Sequence, residues 1–391
     1  MLSKDWIEQS VFEIFQNIAL HYPNSIALHF ENQNITYKEL LQQIEIAAVN
    51  IHEKAKENKA PIAIWMNNNP DFIVAMFACL HCGIPYIPLD NNFPKDRNKE
   101  IIEHAKVQFI ITQDVTRQPT GFEETIVPQG NSASLAYILY TSGSSGKPKG
   151  VFQNQKNLLH DVWQYINSIQ LTANDKCTLF YSPSVNGAIR DIFGTLLSGA
   201  TLFMKDLKKD GLLQLSSFIG EKKITILHAI PPVFRAFLQV NNISFSHVRL
   251  VYLAGDRIFK SDFELYKKYF SENAQLYIGI GSTENATIYR QWFLNHQTKV
   301  NSDLVPVGYT VEDRNMTILP ETNEIQVSSA YMALGYWNDE ALTQQYFQFN
   351  EDGSRTFNTG DIGEINNEGL LEFKGRKDKQ IKVNGHRVET D

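Results

Sequence analysis

From residue 1 to about 250, short apolar runs of strand character alternate with segments of helical period. "APIAIWM" (60–66), "VQFIIT" (107–112), "LAYILYT" (135–141), "ITILHAI" (224–230) and "VRLVYLAG" (248–255) are the β-rich runs. Between them, Pro70 to His81 is a helical stretch, and Leu158, Leu159, Val162, Ile166 and Ile169 trace one helical face. Near the start, Ile7, Val11, Phe15 and Ile18 mark one face of an amphipathic helix. Strands separated by helices predict an α/β fold with largely parallel, layered sheets.

The pattern changes near Val305. "EIQVSSAYMALGYW", "IGEINNEGLLEFKGR" and "KQIKVNGHRVE" are short strands divided by Asn/Gly turns, with hairpin signals at 366–369 and 384–385. The expected division is a core over 1–375, α/β to about 305 and β-rich over about 305–375. Residues 376–391 then form a separate terminal piece.

Bulk properties exclude several classes. A net charge of −7, with basic clusters such as "KDLKKD" diluted by acids, gives no footprint for nucleic acid. The apolar run Phe72 to Leu80 is far shorter than the roughly 20 residues a membrane span needs. The N-terminus has no apolar signal core, and the three cysteines form no even set, which places the expected setting in the reducing cytoplasm. "CLHC" (79–82) lacks a second ligand pair and continues an apolar helix, so core packing is its reading.

One loop stands apart. The strand from Leu135 runs into "YTSGSSGKPKGV", where glycines permit a nest of converging amides and Lys147 and Lys149 add charge. Such a loop at the end of a strand suits a polyphosphate. The P-loop spacing is excluded, because Thr141 stands at the first glycine of GxxxxGK[ST] and Pro148 at its Ser/Thr.

This loop resembles the signature of the adenylate-forming superfamily of acyl-CoA synthetases, luciferases and adenylation domains of nonribosomal peptide synthetases. Further stretches resemble that family's motifs in order: "ITYKELL" (35–41), "CLHCGIPYIPLDNNFPKDR" (79–97), "DIFGTLLSGATL" (191–202), "GIGSTE" (279–284), "FNTGDIGEI" (357–365) and "GRKDKQIKVNGHRVE" (375–389). The resemblance implies two mainly parallel sheets flanked by helices, plus a smaller, barrel-like β subdomain. It also implies ATP and Mg²⁺ as cofactors. Thr141, Ser142, Gly143, Ser144, Ser145, Gly146, Lys147 and Lys149 would hold phosphate. Thr283 would contact phosphate and Glu284 would bind the metal, both at the catalytic centre. Gly255, Asp256, Ile280, Gly281, Ser282, Asp361 and Arg376 would hold the nucleoside, with aliphatic Ile280 where the family carries an aromatic under adenine. Asp378 matches the hinge of a C-terminal lid, and the family's lid lysine falls beyond residue 391. The resemblance therefore implies the large N-terminal part of a longer protein, impaired in adenylation without its lid.

The same resemblance puts Asn186, Arg190, Ala229, Tyr252, Ala254, Gly279 and Thr287 around the acid. Asn186 stands where α-amino-acid-activating members usually carry an Asp, although a local insertion would bring Ser182 or Ser184 there instead. Arg190 either faces the acid or pairs with a neighbouring carboxylate such as Asp191. The expected reaction joins a small carboxylic acid (hydroxy, aryl or amino) to AMP with release of pyrophosphate. Transfer to the phosphopantetheine thiol of a carrier protein would follow. An acyl-CoA ligase and a nonenzymatic nucleotide-binding module are the alternatives, and neither nucleic acid nor membrane is expected as a partner.

Overall fold

The computed structural model describes residues 2–56, 58–112, 130–142, 147–212, 214–239, 244–377, 380–383 and 386–389. Helix ends follow local chemistry. Asn69 accepts from the Phe72 amide at 3.1 Å, with Pro70 at the first position, and starts helix Pro70–His81. Thr36 and Glu39 form a reciprocal capping box that opens helix Tyr37–Ala55. Asn154 accepts from the Asn157 amide at 2.8 Å and starts Gln155–Ile169. At the N-terminus the structure differs from the sequence expectation. Ile7 belongs to a separate 3₁₀ turn, Lys4–Glu8, because the Ser10 side chain caps a new helix, Val11–His21.

Among the described residues, one sheet runs in the spatial order Tyr309–Thr310, Thr287–Leu294, Gln275–Ser282, Leu250–Leu253, Ile226–Ala229, Lys176–Leu179, Thr201–Met204, Ile26–Phe30, Gln33–Thr36. Its five inner pairings are parallel, and the antiparallel ones lie at the two ends. A second sheet runs Gly335–Tyr336, Pro148–Asn154, Leu135–Ser142, Tyr86–Asp90, Ile62–Met66, Phe109–Ile111, parallel from Leu135–Ser142 onward. A third, antiparallel sheet joins Asn315–Ile318, Glu324–Ser329, Arg355–Ile365, Phe347–Phe349 and Leu371–Arg376. Gln380–Val383 pairs with His386–Glu389, and the expected 384–385 turn lies outside the described residues.

The apolar clusters reveal the layering. Helices Val11–His21, Tyr37–Ala55, Pro70–His81 and Gln155–Ile169 share one core with strand residues of both parallel sheets, such as Leu202, Tyr252, Ile64 and Tyr137. That double contact explains why every residue from Phe72 to His81 is buried, and why its sequence is apolar all round. Cys79 and Cys82 are buried in this core as free thiols, and burial pushes Cys82 up to about 12. A second cluster joins the long sheet to Pro231–Leu238 and Lys260–Tyr269. A third fills the antiparallel sheet around Ile325, Val327 and Phe357.

His81 carries a pH consequence. Its imidazole is 3 % exposed, lies 3.7 Å from the Phe12 ring centroid, and has no hydrogen bond at Nδ1. Burial lowers its pKa to about 4. The unfolded chain takes up this proton near pH 6.5, so stability present above that pH is lost as pH falls towards 4. The loss from this group is about 3 kcal/mol. Denaturant midpoints measured against pH should fall less steeply for His81→Leu than for wild type; parallel curves would refute the assignment.

Candidate active site

Strands Leu135–Ser142 and Pro148–Asn154 form the hairpin that carries the glycine–serine–lysine loop, with Thr141 opposite Lys149 and Ser142 opposite Pro148. Gly143, Ser144, Ser145 and Gly146 lie outside the described residues, as does Asp378. Thr141 is half-buried and Lys147 exposed, and the Lys149 ammonium lies 5.4 Å from the Tyr346 ring centroid.

Thr283 and Glu284 lie beyond the end of strand Gln275–Ser282, and three contacts tie them to that hairpin. Gln153 Nε2 donates to the Thr283 carbonyl at 3.3 Å. The Tyr336 hydroxyl donates to Glu284 Oε1 at 3.2 Å, and Tyr336 itself pairs with Val151. The Ala333 amide donates to the Glu284 carbonyl at 3.0 Å. Glu284 is thereby fixed while only 3 % exposed. Ser282 supports the turn by accepting from the Asn285 amide at 3.3 Å and its side-chain nitrogen at 3.1 Å. Gly281 is required here, because a Cβ would sit 1.6 Å from the Thr287 carbonyl oxygen. Gly281→Ala is expected to cost more than about 2 kcal/mol by overpacking against backbone, read as a lower unfolding midpoint; an unchanged midpoint would contradict this packing.

Asp361 and Arg376 face each other across strands Arg355–Ile365 and Leu371–Arg376, with Nη1 donating to Oδ1 at 2.6 Å. Glu324 braces the same turn, accepting from the Gly360 amide at 3.1 Å and pairing with Lys377 at 3.0 Å. Ile280 is half-buried and packs against the third cluster. Gly255 and Asp256 follow strand Leu250–Leu253, Gly255 with a left-handed φ of +87° and Asp256 accepting from the Arg257 amide at 2.7 Å.

On the acid side the structure decides between the two readings of Arg190. Arg190 pairs with a carboxylate, but with Asp161 rather than Asp191. Its Nη2 lies 2.7 Å from Asp161 Oδ1, and the guanidinium is 1 % exposed. Asp191 instead lies 2.8 Å from His228 Nδ1, and burial raises its carboxyl despite the opposing His228 and Arg190. A π-helical turn, Arg190–Gly194, continues the short helix Gly187–Ile189. Asn186 lies just before it, half-buried, its Oδ1 without a hydrogen bond.

Ala229 packs with Leu253 and Ile278 in the second cluster, whereas Tyr252 belongs to the first, with Ala254 packed against it. The strand pleat therefore gives the Tyr252 side to His228, whose ring stacks on Tyr252 at 3.9 Å. His228 pairs with Tyr252, and Tyr252 with Tyr277, across the sheet. Gly279 adjoins Ile288, and Thr287 donates its hydroxyl to Asp161 at 2.8 Å. Asp161, Tyr336, Gln153 and Glu324 carry no local signature, because each acts on a residue distant in sequence.

The layered sheets, the loop-bearing hairpin and the carboxylate fixed beside it define a nucleotide-binding enzyme of α/β type. The chain belongs to the AMP-binding enzyme family, which it matches over residues 15–337. It is similar to tyrocidine synthase 1 of Brevibacillus parabrevis, 27% identical over 97% of this chain and 37% of that protein. It is also 27% identical to bacitracin synthase 2 of Bacillus licheniformis, over 98% of this chain but 15% of that one. The chain thus spans little more than a third, or less, of these relatives. In fold it resembles the N-terminal subdomain of Klebsiella oxytoca NpsA in complex with 3-hydroxybenzoyl-AMSN, with TM-score 0.84, 23% identity, 94% of this chain and 100% of that one covered. It likewise resembles NpsA-ThdA, an artificially fused adenylation–PCP di-domain from the same organism, with TM-score 0.87, 24% identity and 98% and 82% coverage.

Proposed function

We propose that this chain activates a small carboxylic acid with ATP, forming an acyl-AMP and pyrophosphate, for transfer to the phosphopantetheine thiol of a carrier protein. The observation that carries this reading is the fixing of Thr283 and Glu284 against the loop-bearing hairpin through Gln153 and Tyr336. Joining a carboxylate to an α-phosphate brings two anions together, so the site must offset charge and hold an in-line geometry. A carboxylate oxygen attacks the α-phosphorus, and the bond to the bridging oxygen of the β-phosphate breaks.

Lys147, Lys149 and the loop amides offset charge on the β- and γ-phosphates, and Thr283 donates to phosphate oxygen. Asp361 accepts from the ribose hydroxyls, held in place by Arg376. Asp378 is the hinge about which a lid would turn between half-reactions. One buried carboxylate, Glu284, beside the Thr283 hydroxyl is a hard-oxygen set that fits Mg²⁺, and the remaining ligands would come from phosphate and water. When bound, the ion would draw charge from the triphosphate.

The acid we infer is a hydroxy or aryl acid. Asn186 supplies no charge for an ammonium, and burying one unpaired is costly. Arg190 is engaged by Asp161 and offers no counter-ion to a second substrate carboxylate. The aryl-adenylate analogue held by the similar NpsA subdomain supports the same class. Three buried free thiols accord with a reducing cytoplasm, and among the described residues no helix is long and apolar enough to cross a membrane.

The test is ATP–pyrophosphate exchange by the full-length protein across hydroxy, aryl and amino acids, followed by transfer to carrier protein or to CoA. Exchange restricted to hydroxy or aryl acids is expected, with the carrier as acceptor. ATP binding without exchange for any acid would leave a nucleotide-binding module, and CoA as the sole acceptor would make the chain a CoA ligase.

A further inference from the structure

The Thr283–Thr287 turn ends on two left-handed residues, Ala286 at φ +50° and Thr287 at φ +99°. A β-branched residue in that region is strained and persists only where its surroundings hold it. Thr287 is held by its strand pairing opposite Ser282 and by its hydroxyl, which donates to Asp161 Oδ2 at 2.8 Å. Asp161 projects from helix Gln155–Ile169 and is 3 % exposed. Arg190 fixes this carboxylate in turn, donating from Nε at 3.0 and 3.1 Å and from Nη2 at 2.7 Å. The guanidinium is itself anchored on Gln164 Oε1 at 2.8 Å and the Tyr277 hydroxyl at 2.9 Å. Tyr277 donates to Gln291 at 2.9 Å, and Gln291 donates to Ser168 at 3.1 Å, closing the network on the helix that carries Asp161.

We propose that Asp161 is a positioning residue for nucleotide activation. Held by Arg190, it grips the Thr287 hydroxyl and so sets the backbone that presents the Glu284 carboxylate to the metal. The turn is then clamped at both ends, by Gln153, Ala333 and Tyr336 on the hairpin side and by Asp161 on the helix side. Donors and a metal-binding carboxylate arranged before the ligand arrives bind it without a further cost of ordering. This inference rests on the proposed role of the turn in adenylation.

Calorimetry with ATP alone, in the absence of acid, tests it on wild type, Thr287→Val and Thr287→Ser, each with Mg²⁺ and with chelator. Thr287→Val keeps the volume and the Asp161–Arg190 pair but removes the hydroxyl. It is expected to weaken MgATP binding about tenfold, the size of one hydrogen bond to a charged group, while metal-free ATP binding stays within about twofold. Thr287→Ser is expected to restore MgATP binding to within about threefold of wild type, because the hydroxyl returns. Wild-type MgATP affinity in Thr287→Val overturns the inference, as does an equal loss with and without metal, which marks a merely structural contact. A wild-type chain that binds no ATP at all overturns the proposed function instead.

Discussion

Replacement of Arg190 by alanine is expected to lower folding stability by about 3–5 kcal/mol, because it strands a buried carboxylate. Among the described residues Asp161 would keep one hydrogen-bond donor, the Thr287 hydroxyl, with the Arg314 guanidinium acting on it through space. Burial opposes the charge of Arg190, yet the Asp161 carboxylate beside it holds the guanidinium well above its ordinary pKa. The pair is thus maintained by mutual attraction, and loss of either member exposes the desolvation cost of the other. Arg190→Met combined with Asp161→Leu should recover most of the loss, since apolar side chains of similar volume carry no such cost. Guanidinium unfolding of the single and double variants measures both, and a single variant within about 1 kcal/mol of wild type would show that the pair does not bear on stability.

Glu284→Gln should reduce the rate of adenylate formation by about two to three orders of magnitude while leaving the fold intact. Glutamine retains an oxygen for the Tyr336 hydroxyl and leaves the backbone bond from Ala333 untouched. It removes the anionic ligand that a magnesium–triphosphate complex needs. The expected signature is a raised Mg²⁺ requirement in pyrophosphate exchange with an unchanged thermal midpoint. Exchange at the wild-type rate and the wild-type Mg²⁺ requirement would remove Glu284 from the metal site.

Much of this fold was legible because its signals are local. The helical stretch read from Pro70 to His81 is a helix over those residues, and Cys79 and Cys82 pack in its core as expected. The run "LAYILYT" became strand Leu135–Ser142, and "NNEG" became the turn before Leu371–Arg376. The Asp361–Arg376 pair followed from the resemblance and is present at 2.6 Å. Side-chain destinations were less legible. Whether Arg190 meets Asp191 or Asp161 depends on a π-helical turn, and the sequence 190–194 carries no proline or glycine pair to announce it. His228, the neighbour of Tyr252 across the sheet, carries no local signal, because register is set by strand pairing. Ser10 ended the first helical pattern early, a cap inside a run whose periodicity alone favoured continuity.

The Asp161–Arg190 pair also limits how this sequence can be recombined. Its partners come from helix Gln155–Ile169, the turn Arg190–Gly194, and strands Gln275–Ser282 and Thr287–Leu294. A chimaera joined anywhere between residues 165 and 189 would take Asp161 from one parent and Arg190 from the other, leaving a lone buried charge unless both parents carry the pair. The stretch from Asp161 to Arg190 is therefore a single unit of inheritance. Exchange of acid preference between related chains is expected to survive junctions outside that block and to fail at junctions within it, even where the surface at the junction is well matched.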